Sequence, residues 1–144
     1  MGHSETHRRL HGMFNDREFD RMDEHVREDV EIEDVARQMT MKNLDEFKDW
    51  LGEWKTGFSD AKVASAEYTE GADYSLAQFR GVGTNDGDMG PFPATERRMD
   101  VALWEMLHFD PEGRVISGEI IYDQATILMQ LGHIVMPGLG CEAS

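Results

Sequence analysis

The sequence predicts an α+β domain, with helices packed on one face of a strongly curved antiparallel or mixed sheet. Three observations predict it. The opening third is proline-free and densely charged, with apolar residues at helical spacing. The second half alternates polar and apolar residues in strand-length runs bounded by turn signals. Between them stands one wide helical apolar stripe carrying two of the three tryptophans. The 144 residues contain no repeat, low-complexity stretch or linker, so 1–144 reads as one domain. Its core is expected over about residues 5–133, with a loose tail from Met136.

Leu10, Phe14, Phe19, Met22 and Val26 mark two short helices between Glu5 and about Arg27, broken by a turn at Asn15-Asp16. The run Asp29–Val35 alternates as a half-buried strand does. Asn43 then caps a helix, with Glu46 three residues on, a variant of the capping box. Leu44, Phe47, Trp50, Leu51, Trp54 and Phe58 form its stripe. Two strands follow, Ala61–Thr69 and Tyr74–Gly83, then a long loop, Thr84–Thr95, full of Gly, Pro, Asp and Asn. The clearest hairpin joins Arg98–Asp110 to Arg114–Asp123 through Asp110-Pro111-Glu112-Gly113, which fits a type I turn with a Gly bulge. A short helix, Gln124–Leu131, stops at Gly132.

The charge is the unusual number: 14 Lys and Arg against 29 Asp and Glu give a formal net charge of −15. Such a chain repels phosphate backbones and anionic lipids, so nucleic acid and membrane surfaces are not expected partners. Most of the acids fall in helices and loops, as in DREFDRMDEHVRED, where they form a solvated shell. One cysteine, Cys141, excludes an intrachain disulfide. No apolar run approaches a membrane span, and the N-terminus lacks a signal core, so a cytoplasmic location is expected.

The informative acids lie on apolar strands. If Asp110 faces Arg114, then Glu105 faces Glu119 and Val101 faces Asp123. One side of the hairpin then carries Leu103, Glu105, Leu107, Glu119, Ile121 and Asp123, and the other Trp104, Met106, His108, Ile120 and Tyr122. Both sides are largely apolar, so one is expected to line an interior and the other a dimer contact. The opposed Glu105 and Glu119 imply a shared proton, a basic group between them, or a register slipped by one residue. Asp123 has two readings, an acid in a dry pocket or the N-cap of the last helix. His108 could carry protons or be satisfied in the interface.

Taken together, GMFNDREFDRMDEHVREDVEIEDVA, NLDEFKDWLGEW, FSDAKV, FRGVGTNDG, TERR and above all YDQATILMQLG resemble the SnoaL-like polyketide cyclase or ester cyclase group of the nuclear-transport-factor-2-like superfamily. The resemblance covers about residues 10–133. It implies a cone whose sheet encloses an apolar pocket, and cofactor-free acid/base chemistry with no metal. It makes Asp123 the matching catalytic acid, and the hairpin reading supplies neighbours such as Glu105 or His108 to help it. It also places Asp34, at the end of the first strand, toward the pocket mouth, where a turn role is equally open. Ser59 replaces the family's common Pro, and Asn85-Asp86 its common His or Thr.

The expected substrate is a small apolar carbonyl compound, undergoing aldol-type cyclisation, isomerisation or dehydration. Trp50, Trp54, Leu103, Ile121 and Glu119, with Asp34, are its expected contacts. On this reading Asp123→Asn abolishes turnover. The competing readings are a non-catalytic small-molecule-binding dimer and a hydrolase that activates water with a carboxylate pair. His3, His7 and His11 are spaced four apart, as helical metal ligands would be. A terminal, frayed segment without a fixed carboxylate argues against that use, so no metal is expected. MGHSET fits a loose myristoylation pattern, and Gly81-Val82-Gly83 precedes a loop rather than a helix, so neither carries weight.

Overall fold

The computed structural model describes residues 2–135. The tail expected from Met136, with Cys141, lies outside the described residues. The elements are α1 (His3–Asn15), a 3-10 helix (Phe19–Glu24), β1 (Val26–Asp34), β2 (Met39–Met41), α2 (Leu44–Gly57), β3 (Lys62–Glu70), β4 (Tyr74–Thr84), β5 (Arg98–Phe109), β6 (Val115–Tyr122) and α3 (Gln124–Leu131). Six strands form one curved sheet in the order β2-β1-β6-β5-β4-β3. Parallel pairing of β1 with β6 makes the sheet mixed; the other neighbours are antiparallel. No helix among the described residues is long and apolar enough to cross a membrane.

The first helix starts at His3 and is tied down at both ends. The Ser4 hydroxyl donates to Glu70 at 2.6 Å. Asn15 exchanges hydrogen bonds with the Val63 backbone at 3.2 and 2.8 Å. The expected second helix is a short 3-10 turn, and β1 begins three residues earlier than its alternation suggested. Asn43 caps α2 as expected: its side chain accepts from the Glu46 N–H, and Glu46 accepts from the Lys42 N–H. Both helices pack their apolar faces on the sheet's inner side, where Val30, Ile32, Val101, Leu107, Ile120 and Phe58 are buried.

The hairpin corrects one expectation with wide consequences. Phe109 faces Val115 as the turn predicts, but His108 faces Ser117 and Glu105 faces Ile120. Ile116 is an extra residue in the ladder, and this bulge slips β6 by one. Every β6 side chain beyond it therefore changes face. Ile120 and Tyr122 turn inward, while Glu119, Ile121 and Asp123 turn away from the core. Gly118 follows the bulge, and a Cβ there would sit 2.7 Å from the Met106 carbonyl oxygen, so this tight passage needs glycine. On β5 the inward set, Leu103, Glu105 and Leu107, is the expected one. The outer face exposes Trp104 (51%), Ile121 (54%) and Ile116 (38%).

Candidate active site

A narrow cavity of about 90 Å³ lies between the helices and the inner face of the sheet. Its walls are apolar, with Phe14, Trp50, Trp54, Phe79, Leu103 and Ile120 among them. Among the described residues, only His11, Lys62 and Glu105 bring ionisable side chains to it. Trp54 also borders a wider hollow of about 430 Å³ that includes Arg37, Glu53, Asp88, Phe92 and Gln124.

Glu105 comes from the middle of β5 and is 8% exposed. Two imidazoles one helical turn apart on α1 meet it. His7 Nε2 and His11 Nε2 both lie 2.7 Å from the same oxygen, Glu105 Oε1. Burial by itself pushes the Glu105 carboxyl upward, but the hydrogen bonds from His11 and His7 outweigh it and hold the carboxyl below the ordinary range. Burial pushes the His7 imidazole down, more than Glu105 raises it. An ionised carboxylate is an acceptor only, so the network assigns the ring protons: both Nε2–H groups donate to Glu105.

The outer ring nitrogens are occupied as well. The Ser75 hydroxyl donates to His7 Nδ1 at 2.9 Å, and the Tyr68 hydroxyl donates to His11 Nδ1 at 2.7 Å. The Tyr68 phenol is pushed up to about 12 by burial and by the charge of Glu105, so it keeps its proton. Oε1 is thus saturated. Glu105 Oε2 takes no hydrogen bond from a described residue and belongs to a side chain on the cavity wall. A carboxylate of this kind can accept a proton or a hydrogen bond from a molecule in the cavity.

Asp34 forms a second buried cluster. Its Oδ2 accepts from the Trp50 indole at 3.0 Å and the Tyr122 hydroxyl at 2.7 Å, and its Oδ1 accepts from the Arg37 N–H at 3.0 Å. Burial, and then this carboxylate, push the Tyr122 phenol up, so it stays a donor. Asp34 lies behind Trp50 rather than at the pocket mouth, and it fixes an indole that lines the cavity.

The structure brings Glu105, Leu103, Trp50 and Trp54 to the cavity. Asp123, His108, Glu119 and Ile121 lie elsewhere. Asp123 faces solvent and accepts from the Thr126 N–H at 3.2 Å, so it is the N-cap of α3. The Thr126 hydroxyl, donating at 2.9 Å, and then this N–H hold its carboxyl low, the reverse of what a dry pocket would do. His108 pairs with Glu119 at 3.1 Å on the outer face of the sheet. The bulge at Ile116 accounts for Glu119, Ile121 and Asp123; His108 sits on the face of β5 opposite Glu105, where the alternation of that strand put it. The bulge also removes the carboxylate-pair hydrolase, because Asp123 in solvent and Glu105 in the cavity cannot share one water.

Sequence reasoning passed over His7, His11, Tyr68 and Ser75. The i,i+4 histidine spacing was the available signal, and the expectation that its segment frays is incorrect: His7 is fully buried and α1 is anchored. The carboxylate judged missing is Glu105. His3 does turn away, stacking on Phe109 at 4.2 Å and donating to the Ala72 carbonyl.

No curated protein matches the chain. Solved structures match its fold over nearly its whole length. IdmH from Streptomyces antibioticus, described as a "putative polyketide cyclase", has a TM-score of 0.80 at 18% identity, covering 92% of this chain and 99% of its own. A "putative SnoaL-like polyketide cyclase" from Jannaschia sp. CCS1 gives 0.82 at 18% identity, covering 92% and 93%. AclR from Streptomyces galilaeus, described as a "putative hydroxylase", gives 0.81 at 14% identity, covering 96% and 89%. Likeness at such identities establishes the cone fold. The sequence itself carries the family pattern over residues 4–131, from the histidine-bearing helix α1 to the end of α3. The chain belongs to the SnoaL-like polyketide cyclase family.

Proposed function

We propose that the protein is a cofactor-free acid/base catalyst that closes a ring in a narrow carbonyl compound, with Glu105 as the base. One observation carries this reading: a buried carboxylate on the cavity wall whose Oε1 is saturated by two imidazoles and whose Oε2 takes no hydrogen bond from a described residue. A carboxylate held below its ordinary range is a weak base. It suits protons that are already acidic, such as those on a carbon between two carbonyls. Glu105 Oε2 takes such a proton, and the enolate carbon attacks a second carbonyl of the same molecule. The proton then passes from Glu105 to the new alkoxide, so an aldol closure balances without a co-reactant.

The cavity of about 90 Å³ admits a slender keto chain rather than a preformed polycycle. The rest of the molecule would occupy the hollow beyond Trp54. Trp50 and Trp54 supply flat walls against which the closing ring stacks.

The test is deuterium exchange at the single proton between the carbonyls of ethyl 2-methylacetoacetate, followed by NMR in D2O. The protein should accelerate exchange above buffer, with saturation. The Asp123→Asn variant should keep that activity and lose about 1 kcal/mol of stability at most. Exchange at the buffer rate with wild-type protein would remove the proposal.

On the same reading the exposed Trp104, Ile116 and Ile121 pack against a second copy of the chain. Sedimentation should show a dimer for the wild type and a monomer for Ile121→Glu. A wild-type monomer at micromolar concentration would contradict it.

A further inference from the structure

The geometry points to a binding site for one first-row divalent cation, such as Zn²⁺, formed by His7, His11 and Glu105. The donors are two imidazole nitrogens and a carboxylate oxygen, a set that suits Zn²⁺, Co²⁺ or Fe²⁺ rather than Ca²⁺ or Mg²⁺. The His7–His11 spacing places both rings on one face of α1, and β5 brings Glu105 between them. All three side chains are buried, and their ligand atoms lie within 4.8 Å of one another.

The distances are near those a metal needs. Each Nε2 stands 2.7 Å from Glu105 Oε1. Ligands at Zn–N and Zn–O lengths of about 2.1 Å sit about 3.0 Å apart at right angles and about 3.4 Å apart in a tetrahedron. Each nitrogen–oxygen pair has to open by about 0.3 Å for right-angle ligation and about 0.7 Å for a tetrahedron. Because His11 and Glu105 line the cavity, the remaining coordination positions would face it.

The outer contacts support the same use. A metal on both Nε2 atoms requires each ring to carry its proton on Nδ1. Ser75 Oγ and Tyr68 Oη already sit 2.9 and 2.7 Å from those nitrogens, and a hydroxyl accepts as readily as it donates. Both rings can therefore change tautomer and keep every outer hydrogen bond, with no proton released. Hydroxyl oxygens so placed fix ring orientation, as the outer partners of metal-bound histidines do.

The consequence for turnover rests on the acid/base reading above: an ion here takes Glu105 and silences the base. The binding does not depend on that reading.

The experiment titrates chelator-treated, tag-free protein with Co²⁺. It follows the visible d–d bands and the paramagnetically shifted exchangeable imidazole signals in proton NMR. The expected result is one cobalt per chain and two shifted N–H signals. His7→Gln or His11→Gln should weaken binding by at least about 100-fold, and Ser75→Ala or Tyr68→Phe by about 10- to 100-fold. The NMR signals come from wild-type protein, so they decide the matter even if a variant fails to fold. Folded wild-type protein that shows no such signals, or binding unchanged in folded histidine variants, overturns the inference. Exchange of ethyl 2-methylacetoacetate, run on the same samples with and without Co²⁺, separates the two proposals. Binding without any exchange activity in the metal-free protein leaves the metal site standing and removes the base. Exchange activity without binding does the reverse.

Discussion

Glu105→Gln is expected to lower the catalysed exchange of ethyl 2-methylacetoacetate by about 100- to 10,000-fold, the span a positioned general base contributes. The amide keeps an oxygen for His7 and His11 but offers the cavity an N–H pair where the carboxylate offered a free acceptor. The fold should survive. Two charge-assisted hydrogen bonds become neutral ones, which costs about 1 to 2 kcal/mol, partly offset because no charge is buried. Glu105→Ala should behave differently. It leaves two buried Nε2–H groups without an acceptor and should cost about 3 to 5 kcal/mol. Urea unfolding separates the two substitutions. A Gln variant as damaged in stability as the Ala variant would mean that the cluster only holds the fold.

The second large effect belongs to Asp34. Removing its carboxylate in Asp34→Ala strands the Trp50 indole N–H and the Tyr122 hydroxyl in the interior, while the Arg37 N–H can turn to water. Each stranded buried donor costs about 1 to 3 kcal/mol, so a loss of about 3 kcal/mol is expected, read as a fall in the urea midpoint. Asp34→Asn keeps one acceptor and should lose about half as much. Because Trp50 lines the cavity, the Ala variant should also shift the tryptophan fluorescence spectrum before unfolding begins. Unchanged stability in Asp34→Ala would show that water replaces the carboxylate and that the cluster is not dry.

Local chemistry made much of the fold legible. The Asn43 cap and the Asp110–Gly113 turn are each encoded within four or five residues and stand where the sequence placed them, as does the longer α2 stripe, while Asp123 takes the cap that was one of its two readings. Strand β2 is three residues long, too short to leave a pattern. The bulge at Ile116 could not be read, because Val115-Ile116 and Ile120-Ile121 put apolar residues on both faces. Alternation gives no penalty for a slip when both faces are apolar. One unseen residue was enough to send Asp123 and Ile121 to the wrong side.

The site was harder to read for a different reason. His7 and Glu105 are 98 residues apart, and His11 and Glu105 are 94 apart. Both halves of the cluster drew attention separately, a histidine pair at helical spacing and an acid among Leu103 and Leu107. Nothing local joins them; the curvature of the sheet does, by folding the middle of β5 over α1. The third possibility for Glu105 and Glu119, a slipped register, is the one that occurs, and it leaves Glu105 inside with the histidines.

The central claim is that proton transfer belongs to the buried Glu105 and not to Asp123. Its most direct test compares the exchange rate of ethyl 2-methylacetoacetate in wild type, Glu105→Gln and Asp123→Asn, each confirmed as folded. The account predicts equal rates for wild type and Asp123→Asn, with the catalysed rate of Glu105→Gln lower by about 100- to 10,000-fold. Activity retained in Glu105→Gln and lost in Asp123→Asn would contradict it.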